Sequence, residues 1–162
     1  MNVHLFNTAS SSFIKDLNAL STVYENHNAS KTYTKGAMAL CVSKTARIGI
    51  DIEQKKTRSP ETIQHFIKKF STFQIKDVPC QISNEWFYRT WTAMESYFKL
   101  EGKGFSTCKN FVIDIEQQSI WRDGKKVAWL EYFDTGDFLL CICSNVKFLR
   151  QDVQLNYHDW EG

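Results

Sequence analysis

Apolar residues recur every three to four positions in three segments of the chain, and this spacing predicts three amphipathic helices. The first is capped within residues 10–12, and the second begins at Ser59-Pro60-Glu61. The third extends from about Glu85 to Leu100 and ends at Gly102. Their apolar faces consist of Phe13, Leu17, Leu20 and Tyr24 in the first helix, Ile63, Phe66, Ile67 and Phe70 in the second, and Phe87, Trp91, Met94 and Phe98 in the third.

The third helix carries an acid and a base at the edge of its apolar face. Glu95 and Lys99 lie one turn apart, so both are expected where the core meets solvent. A pair of this kind is also typical of an ordinary surface helix, where it contributes only a few tenths of a kcal/mol. The pair becomes a candidate site when a second motif is considered with it.

Segments with strand-like apolar spacing occupy most of the remaining chain. In the N-terminal part these are residues 2–7, 36–42 and 47–53, and in the C-terminal part they form an antiparallel meander of residues 111–115, 120–121, 127–133 and 138–143. The sequence SKTA at 43–46 predicts a hairpin turn, and Asp123-Gly124 predicts another. Residues 25–31 have the composition of a loop, and the last dozen residues show no usable pattern.

The segment 48–53, IGIDIE, alternates between its two faces. Ile48, Ile50 and Ile52 share one face, and Gly49, Asp51 and Glu53 share the other. The two carboxylates are therefore expected about 7 Å apart along the strand. Such oxygen ligands suit Mg²⁺, which takes one or two carboxylates together with phosphates and water. A solvated strand face would have the same pattern, so the motif alone leaves both interpretations open.

Composition narrows the class of protein. The 162 residues are 43% hydrophobic and 14% aromatic, which indicates a packed globule, and the net charge of +2 argues against a protein that coats nucleic acid. We find no linker, signal peptide or membrane-spanning run, and we expect a single cytoplasmic domain of residues 1–162. The five cysteines lack zinc-site spacing and are expected to be reduced thiols; they are Cys41, Cys80, Cys108, Cys141 and Cys143.

Two motifs in order resemble a known family. GIDIE at 49–53 is followed, from Trp91 to Gly104, by W-T-x-x-E-x-x-x-K-x-x-G-x-G. The pair resembles the 4′-phosphopantetheinyl transferases of the Sfp type, which activate carrier proteins of fatty-acid, polyketide and nonribosomal peptide synthesis. The resemblance implies an α+β fold of two related halves with antiparallel sheets and packed helices. The halves would be approximately residues 1–47 and 48–162, with the active site in the cleft between them.

The resemblance also implies a reaction and a set of site residues. A serine of an acidic apo carrier protein would attack the β-phosphate of coenzyme A, and 3′,5′-ADP would leave. By the family pattern, Asp51, Glu53 and Glu95 would hold Mg²⁺, and Glu95 would help to deprotonate the serine. Lys99 would lie near the phosphates and offset charge on the leaving group. Catalysis of this kind depends on positioning and charge neutralisation.

Three departures from the family pattern concern coenzyme A. Met94 stands where the family usually has a lysine, and Tyr33-Thr34-Lys35 stands where it commonly has Ser-His-Ser. The segment before GIDIE is also short. Thr34 and Lys35, together with Lys31, are therefore candidate coenzyme A contacts, although a surface position is the commoner explanation for both lysines. We expect weaker coenzyme A binding than in fuller members, with most of the affinity coming from Mg²⁺ and Lys99.

Met94 is expected to pack, while the neighbouring face of the helix carries the chemistry. A methionine keeps the length of the lysine stem without its charge. We therefore expect a slow but genuine transferase, in which Met94→Lys raises activity or leaves it unchanged at small cost in stability.

Two other functions have the same motif elements. A degenerate homologue would bind coenzyme A or a carrier protein without transfer, and a Mg²⁺-dependent nuclease would also use a D-x-E motif followed by Glu and Lys. The near-neutral charge and the Gly-x-Gly after Lys99 favour the transferase over the nuclease. The chain also contains a decoy, VIDIE at 112–116, in which Asp114 and Glu116 have the spacing of Asp51 and Glu53.

Overall fold

In a computed structural model, which describes residues 1–69, 74–104 and 110–159, the strands form two sheets. The elements are β1 (Asn2–Asn7), α1 (Phe13–Val23), β2 (Asn28–Thr34), β3 (Ala37–Ser43), β4 (Ile48–Gln54), α2 (Pro60–Lys69), β5 (Gln74–Ile75), α3 (Asn84–Glu101), β6 (Val112–Asp114), β7 (Ser119–Arg122), β8 (Lys125–Asp134), β9 (Phe138–Ser144), a 3₁₀ turn (Arg150–Asp152) and β10 (Gln154–His158). One sheet has the order β10-β1-β3-β2, and the other has the order β4-β9-β8-β7-β6-β5. The expected α+β class with antiparallel-rich sheets and packed helices is confirmed.

Three apolar clusters arrange the elements in layers. The first lies between α1 and the four-stranded sheet and contains Phe6, Met38 and Leu40. The second lies between the two sheets and includes the isoleucines of β4. The third packs α2 and α3 on the outer face of the six-stranded sheet. Both faces of β4 are therefore covered, although the alternation of IGIDIE alone would also fit a solvated face.

Helix α3 matches its predicted limits and its predicted apolar face. The Ser83 hydroxyl at its N-cap accepts a hydrogen bond from the Trp86 amide, and Gly102 ends the helix at a φ of 63°. Met94 is 0% exposed, and Phe87 and Phe98 are also buried. The predicted packing role of Met94 agrees with this burial. Phe70, predicted on the apolar face of the second helix, lies outside the described residues. The same is true of Cys108, one of the five cysteines.

Two predictions of secondary structure were wrong, and one segment without a prediction forms a strand. Residues 43–46 do not form a hairpin turn, because β3 and β4 belong to different sheets. Residues 28–31 belong to strand β2, since pairing with β3 over its whole length outweighs their loop-like composition. The C-terminal segment contains β10, which runs parallel to β1 and joins the sheet formed by the N-terminal strands. The division into halves near residue 47 stays a prediction.

The predicted turn at Asp123-Gly124 is confirmed, whereas the predicted side-chain cap of α1 is not observed. The Asp123-Gly124 turn joins β7 to β8 with positive φ at both residues, as predicted. The Ser12 hydroxyl does not cap the backbone of α1 but lies 2.7 Å from Asp16 Oδ2 and 2.6 Å from Asp159 Oδ2, and its single proton bonds to one of these oxygens at a time. In the described part of the chain, the cysteines are free thiols, and no helix is long and apolar enough to cross a membrane.

Two histidines link β10 to β1 beside the parallel pairing of these strands. His4 Nδ1 lies 3.0 Å from His158 Nε2, and His4 Nε2 lies 3.2 Å from the Tyr24 hydroxyl. The His158 ring stacks on Phe6 with 4.6 Å between ring centroids. Because one imidazole must accept the bond from the other, the pair requires at least one neutral ring. Burial, followed by the charge of His158, lowers the pKa of His4 to about 4.

This pKa predicts acid sensitivity. Between the ordinary histidine pKa of about 6.5 and about 4, the unfolded chain binds a proton at residue 4 that the folded chain excludes. The free energy of unfolding, measured with urea, should therefore fall as the pH is lowered through this range. His4→Gln should flatten the slope, whereas His65→Gln on the exposed side of α2 should leave it unchanged. Equal slopes in wild type and His4→Gln would contradict the assignment.

The burial of Met94 predicts a larger cost for lysine than the sequence suggested. Met94→Lys should lower the free energy of unfolding by about 3 kcal/mol or more, because taking an ammonium group out of water costs several kcal/mol. Met94→Leu, which conserves apolar volume, should cost less than about 1.5 kcal/mol. Chemical denaturation of both variants makes the comparison. If Met94→Lys costs no more than Met94→Leu, the lysine tip reaches solvent and the burial argument fails.

Candidate active site

Gly49 brings β4 and α3 into backbone contact. A Cβ atom at this position would collide with the carbonyl oxygen of Ser96 and would lie 2.6 Å from the amide nitrogen of Leu100. Only glycine leaves room for this approach. Since Glu95 and Lys99 flank this contact on α3 and Asp51 lies two residues beyond Gly49 on the same face of β4, the packing gathers the charged side chains of the two motifs.

Asp51 is the buried member of this group, with 5% of its surface exposed. Its Oδ1 atom accepts two hydrogen bonds, from Lys99 Nζ at 2.7 Å and from the Thr32 hydroxyl at 2.9 Å. Its Oδ2 atom is buried and has no hydrogen-bond partner among the described residues. Burial raises the pKa of Asp51, while the charge and hydrogen bond of Lys99, the hydrogen bond of Thr32 and the nearby backbone amide of Ile52 oppose that rise. The Ile52 amide does not reach the geometry of a hydrogen bond to Oδ2.

Glu53 and Glu95 are half-buried and lie close enough to Asp51 to feel its charge. Burial first, and then the charge of Asp51, raise the pKa of each glutamate. Glu53 Oε1 also accepts a hydrogen bond of 3.0 Å from the Trp91 indole nitrogen. The three predicted metal ligands therefore form one electrostatically coupled cluster, in which each negative charge disfavours the others.

Lys99 pairs differently from the expectation based on spacing. The sequence suggested an ion pair with Glu95 on the same helix, but the Lys99 ammonium donates to Asp51 of β4. Its positive charge still opposes the rise in the pKa of Glu95, so the ammonium lies near both carboxylates. Lys99 thus supplies one positive charge to a cluster that carries three carboxylates.

The donor set fits a hard divalent cation. A buried carboxylate oxygen lacks a partner, and two further carboxylates repel it; oxygen ligands of this kind are those that Mg²⁺ takes. Among the described residues, no three acidic, histidine or cysteine side chains already stand together in ligating positions. Ligation by all three carboxylates would therefore require side-chain rearrangement.

The candidate coenzyme A contacts lie on or beside β2. Lys31 pairs with Leu40 of β3, which faces α1, so Lys31 is on the face of the sheet opposite to Thr32. Lys35 is exposed in the turn after β2, and Thr34 is half-buried two positions beyond Thr32. The structure does not bring the two lysines to the carboxylate cluster, and the role of all three residues stays a prediction.

Two cavities flank the cluster. A cavity of about 310 Å³ is lined by Glu95, Phe98, Lys99, Gly102, Lys103 and Gly104. A second cavity, of about 290 Å³, is lined by Glu53, Arg58, Thr62, His65, Phe66, Phe87, Tyr88 and Trp91. The first cavity joins both lysines at the end of α3 to the Gly-x-Gly segment, and the second is largely aromatic. The first cavity therefore borders Glu95 and Lys99, and the second borders Glu53.

The aspartate of the decoy motif, Asp114, has a different environment from that of Asp51. Asp114 is 2% exposed, and its carboxylate accepts hydrogen bonds from Lys76 Nζ at 3.0 Å and from the Gln117 amide at 2.9 Å. Although burial alone would raise it, the pKa of Asp114 is lowered by these hydrogen bonds and by the charge of Lys76. Glu116 is exposed. Asp114 therefore has a local structural role in the turn between β6 and β7.

Sequence reasoning missed Thr32, the Trp91 indole as a donor, and Arg58. The Arg58 Nε atom donates to the Tyr88 hydroxyl at 3.0 Å, and the charge of Arg58 lowers the pKa of Glu53 against the larger effects of burial and Asp51. The alternation of hydroxyl residues at 30, 32 and 34 was a usable signal for Thr32, because alternate residues of a strand share one face. It was hidden by the assignment of residues 25–31 to a loop.

Comparison with known proteins shows the family of the chain. The model of the 4′-phosphopantetheinyl transferase superfamily matches residues 47–152, well over half of the chain. Over 73 residues the chain is 38% identical to the 4′-phosphopantetheinyl transferase Sfp of Bacillus subtilis (strain 168), a match that covers 44% of this chain and 32% of that protein. The matched part thus spans about a third of the length of this curated relative. The chain belongs to the 4′-phosphopantetheinyl transferase superfamily and is Sfp-like.

Proposed function

We propose that the protein transfers the 4′-phosphopantetheine group of coenzyme A to a serine of an acyl, peptidyl or aryl carrier protein in a Mg²⁺-dependent reaction. The observation that carries this proposal is the buried Asp51 carboxylate, which keeps one unpartnered oxygen beside two further carboxylates and a lysine. Pyrophosphate chemistry needs such an arrangement, because negative charge must be both bound and balanced.

The proposed reaction balances in one transfer. The carrier serine oxygen forms a bond to the β-phosphorus of coenzyme A, the bond between that phosphorus and the bridging pyrophosphate oxygen breaks, and 3′,5′-ADP leaves. Asp51, Glu53 and Glu95 would hold Mg²⁺, which when bound supplies positive charge to the pyrophosphate. Glu95 would accept the serine proton directly or through water.

Lys99 is proposed to move between two anions. In the structure it neutralises Asp51, and its side chain remains 31% exposed, so the ammonium can reach solvent on the cavity side. A long flexible stem allows the ammonium to turn towards a phosphate of coenzyme A. Lys103 lines the same cavity and adds a second positive charge there.

Substrate recognition extends the proposal beyond the cluster. Lys31, Thr34 and Lys35 are proposed as coenzyme A contacts, and the carrier partner is proposed to be acidic. Lys31 lies on the face of β2 away from Asp51. We therefore expect the N-terminal segment to contribute only weakly to coenzyme A binding. Cytoplasmic location and the absence of nucleic acid or membrane partners remain predictions.

Mass spectrometry tests the activity. The protein is incubated with coenzyme A, Mg²⁺ and a panel of apo carrier proteins, with an active transferase as positive control for each carrier. We expect a phosphopantetheine-sized mass gain that depends on Mg²⁺. If every carrier is modified by the control enzyme and none by this protein, the chain is a non-catalytic homologue, and coenzyme A binding by calorimetry then measures what function remains.

A pair of variants tests the site. Asp51→Asn, which keeps the size of the side chain, should lower the transfer rate by more than about 100-fold, because metal-ion charge stabilisation is worth several kcal/mol. Glu116→Gln, in the exposed half of the decoy motif, should leave the rate within about twofold, since surface substitutions are usually near neutral. Transfer is read by mass at saturating coenzyme A.

Asp114→Asn separates the stability role of the decoy from catalysis. It should lower the unfolding free energy, because the Lys76 ion pair is lost, while folded protein keeps most of its rate. A variant set in which Asp114→Asn or Glu116→Gln abolishes transfer and Asp51→Asn does not would refute the site.

A further inference from the structure

Strand β2 meets β4 through side-chain hydroxyls, although the two strands belong to different sheets. The Ser30 hydroxyl accepts a hydrogen bond of 3.1 Å from the Ile50 amide, and the Thr32 hydroxyl donates to Asp51 Oδ1 at 2.9 Å. These residues alternate along β2, so both hydroxyls lie on its face towards β4. One contacts the backbone and the other contacts the central carboxylate, which makes their effects separable.

Thr32 is suited to fix the Asp51 carboxylate. It is 4% exposed, its branched side chain has restricted rotation at χ1, and its hydroxyl is held at a carboxylate oxygen in a buried position. Rotation about the terminal bond of an aspartate is broad, so an unrestrained carboxylate would sample several orientations. Two donors on Oδ1 define the orientation and leave Oδ2 without a partner among the described residues.

The two donors differ in permanence. Lys99 reaches Asp51 from a long side chain that is 31% exposed, and under the proposed function it can leave Oδ1 for a phosphate. Thr32 has a short, buried side chain and stays in place through such an exchange. The hydrogen bond from Thr32 therefore holds Asp51 when the lysine turns away.

We propose that Thr32 is a positioning residue, which fixes Asp51 through Oδ1 so that Oδ2 is presented to a divalent cation. This inference rests on the proposed metal-dependent transfer. It means that a residue of the four-stranded sheet, contributed by the N-terminal segment, sets cation affinity at a carboxylate of the six-stranded sheet. Outer hydrogen bonds of this kind typically change metal affinity by about 10- to 100-fold.

Calorimetric titration with MnCl₂ alone tests the proposal without reference to turnover. Thr32→Val keeps the shape of the side chain and removes the hydroxyl, so Mn²⁺ affinity should fall by about 10- to 100-fold. Thr32→Ser keeps the hydroxyl and should bind Mn²⁺ within about threefold of wild type, whereas Thr32→Ala should bind like Thr32→Val. The Ser–Ala pair differs only in the hydroxyl and decides the outcome if Thr32→Val does not fold.

Ser30→Ala is the matched control on the same face of β2. It removes a hydroxyl that contacts the backbone of β4, so it should lower thermal stability but leave Mn²⁺ affinity near wild type. In transfer assays, Thr32→Val should raise the Mg²⁺ concentration needed for half-maximal rate and leave the rate at saturating Mg²⁺ within a few-fold. A purely structural role would affect Ser30→Ala and Thr32→Val alike.

The results separate this inference from the proposed function. If wild type binds Mn²⁺ and transfers, but the valine and alanine variants bind Mn²⁺ as tightly as wild type, the positioning role is overturned and the transferase proposal stands. If wild type does not bind Mn²⁺, the metal site and the role of Thr32 both fail. If Mn²⁺ affinity follows the hydroxyl through the series, Thr32 is confirmed as a positioning residue even when no carrier is modified.

Discussion

A carboxylate taken out of water costs several kcal/mol unless other groups compensate it, and Asp51 is compensated at only one of its two oxygens. A lysine and a threonine donate hydrogen bonds to Oδ1, whereas Oδ2 is buried and has no hydrogen-bond partner among the described residues. Glu53 and Glu95 add negative charge nearby, as the raised pKa values of both groups show. The site therefore stores an electrostatic cost that a bound cation would relieve, and the rest of the structure acts to maintain it.

The packing around Gly49 prevents the protein from avoiding the electrostatic cost of the carboxylate cluster. The strand and the helix touch through their backbones, so their charged side chains must share the small space beside the contact. The isoleucines of β4 are held in the layer between the sheets, which prevents the strand from turning its carboxylates to solvent. Thr32 then reaches the cluster from the other sheet. Side chains of β2 and α3 meet the Asp51 carboxylate of β4, and β9 pairs with β4 at Asp51.

Much of this could be predicted from local patterns, and the errors have a common physical cause. The limits of α3, the alternation of β4 and the Asp123-Gly124 turn follow from periodicity and backbone preferences of nearby residues. Sheet membership does not: β3 and β4 are separated by four residues, yet they pair in different sheets, and β10 pairs with a strand at the opposite end of the sequence. Thr32 was missed for the same reason, because its partner lies 19 positions away in another sheet. The motif pair identified the family and favoured Asp51 over Asp114, and the packing shows how the surroundings of the two carboxylates differ.

Anomalous X-ray scattering from crystals grown with MnCl₂ and coenzyme A tests the central claim most directly. Mn²⁺ replaces Mg²⁺ at oxygen ligands and is visible by its own scattering. We expect a Mn²⁺ peak bonded to Asp51 Oδ2 and to a carboxylate oxygen of Glu53 or Glu95, with the Thr32 hydroxyl still on Oδ1. A peak at Asp114 and Glu116 instead, or an Asp51 that keeps Lys99 and binds no metal at saturating Mn²⁺, would contradict it.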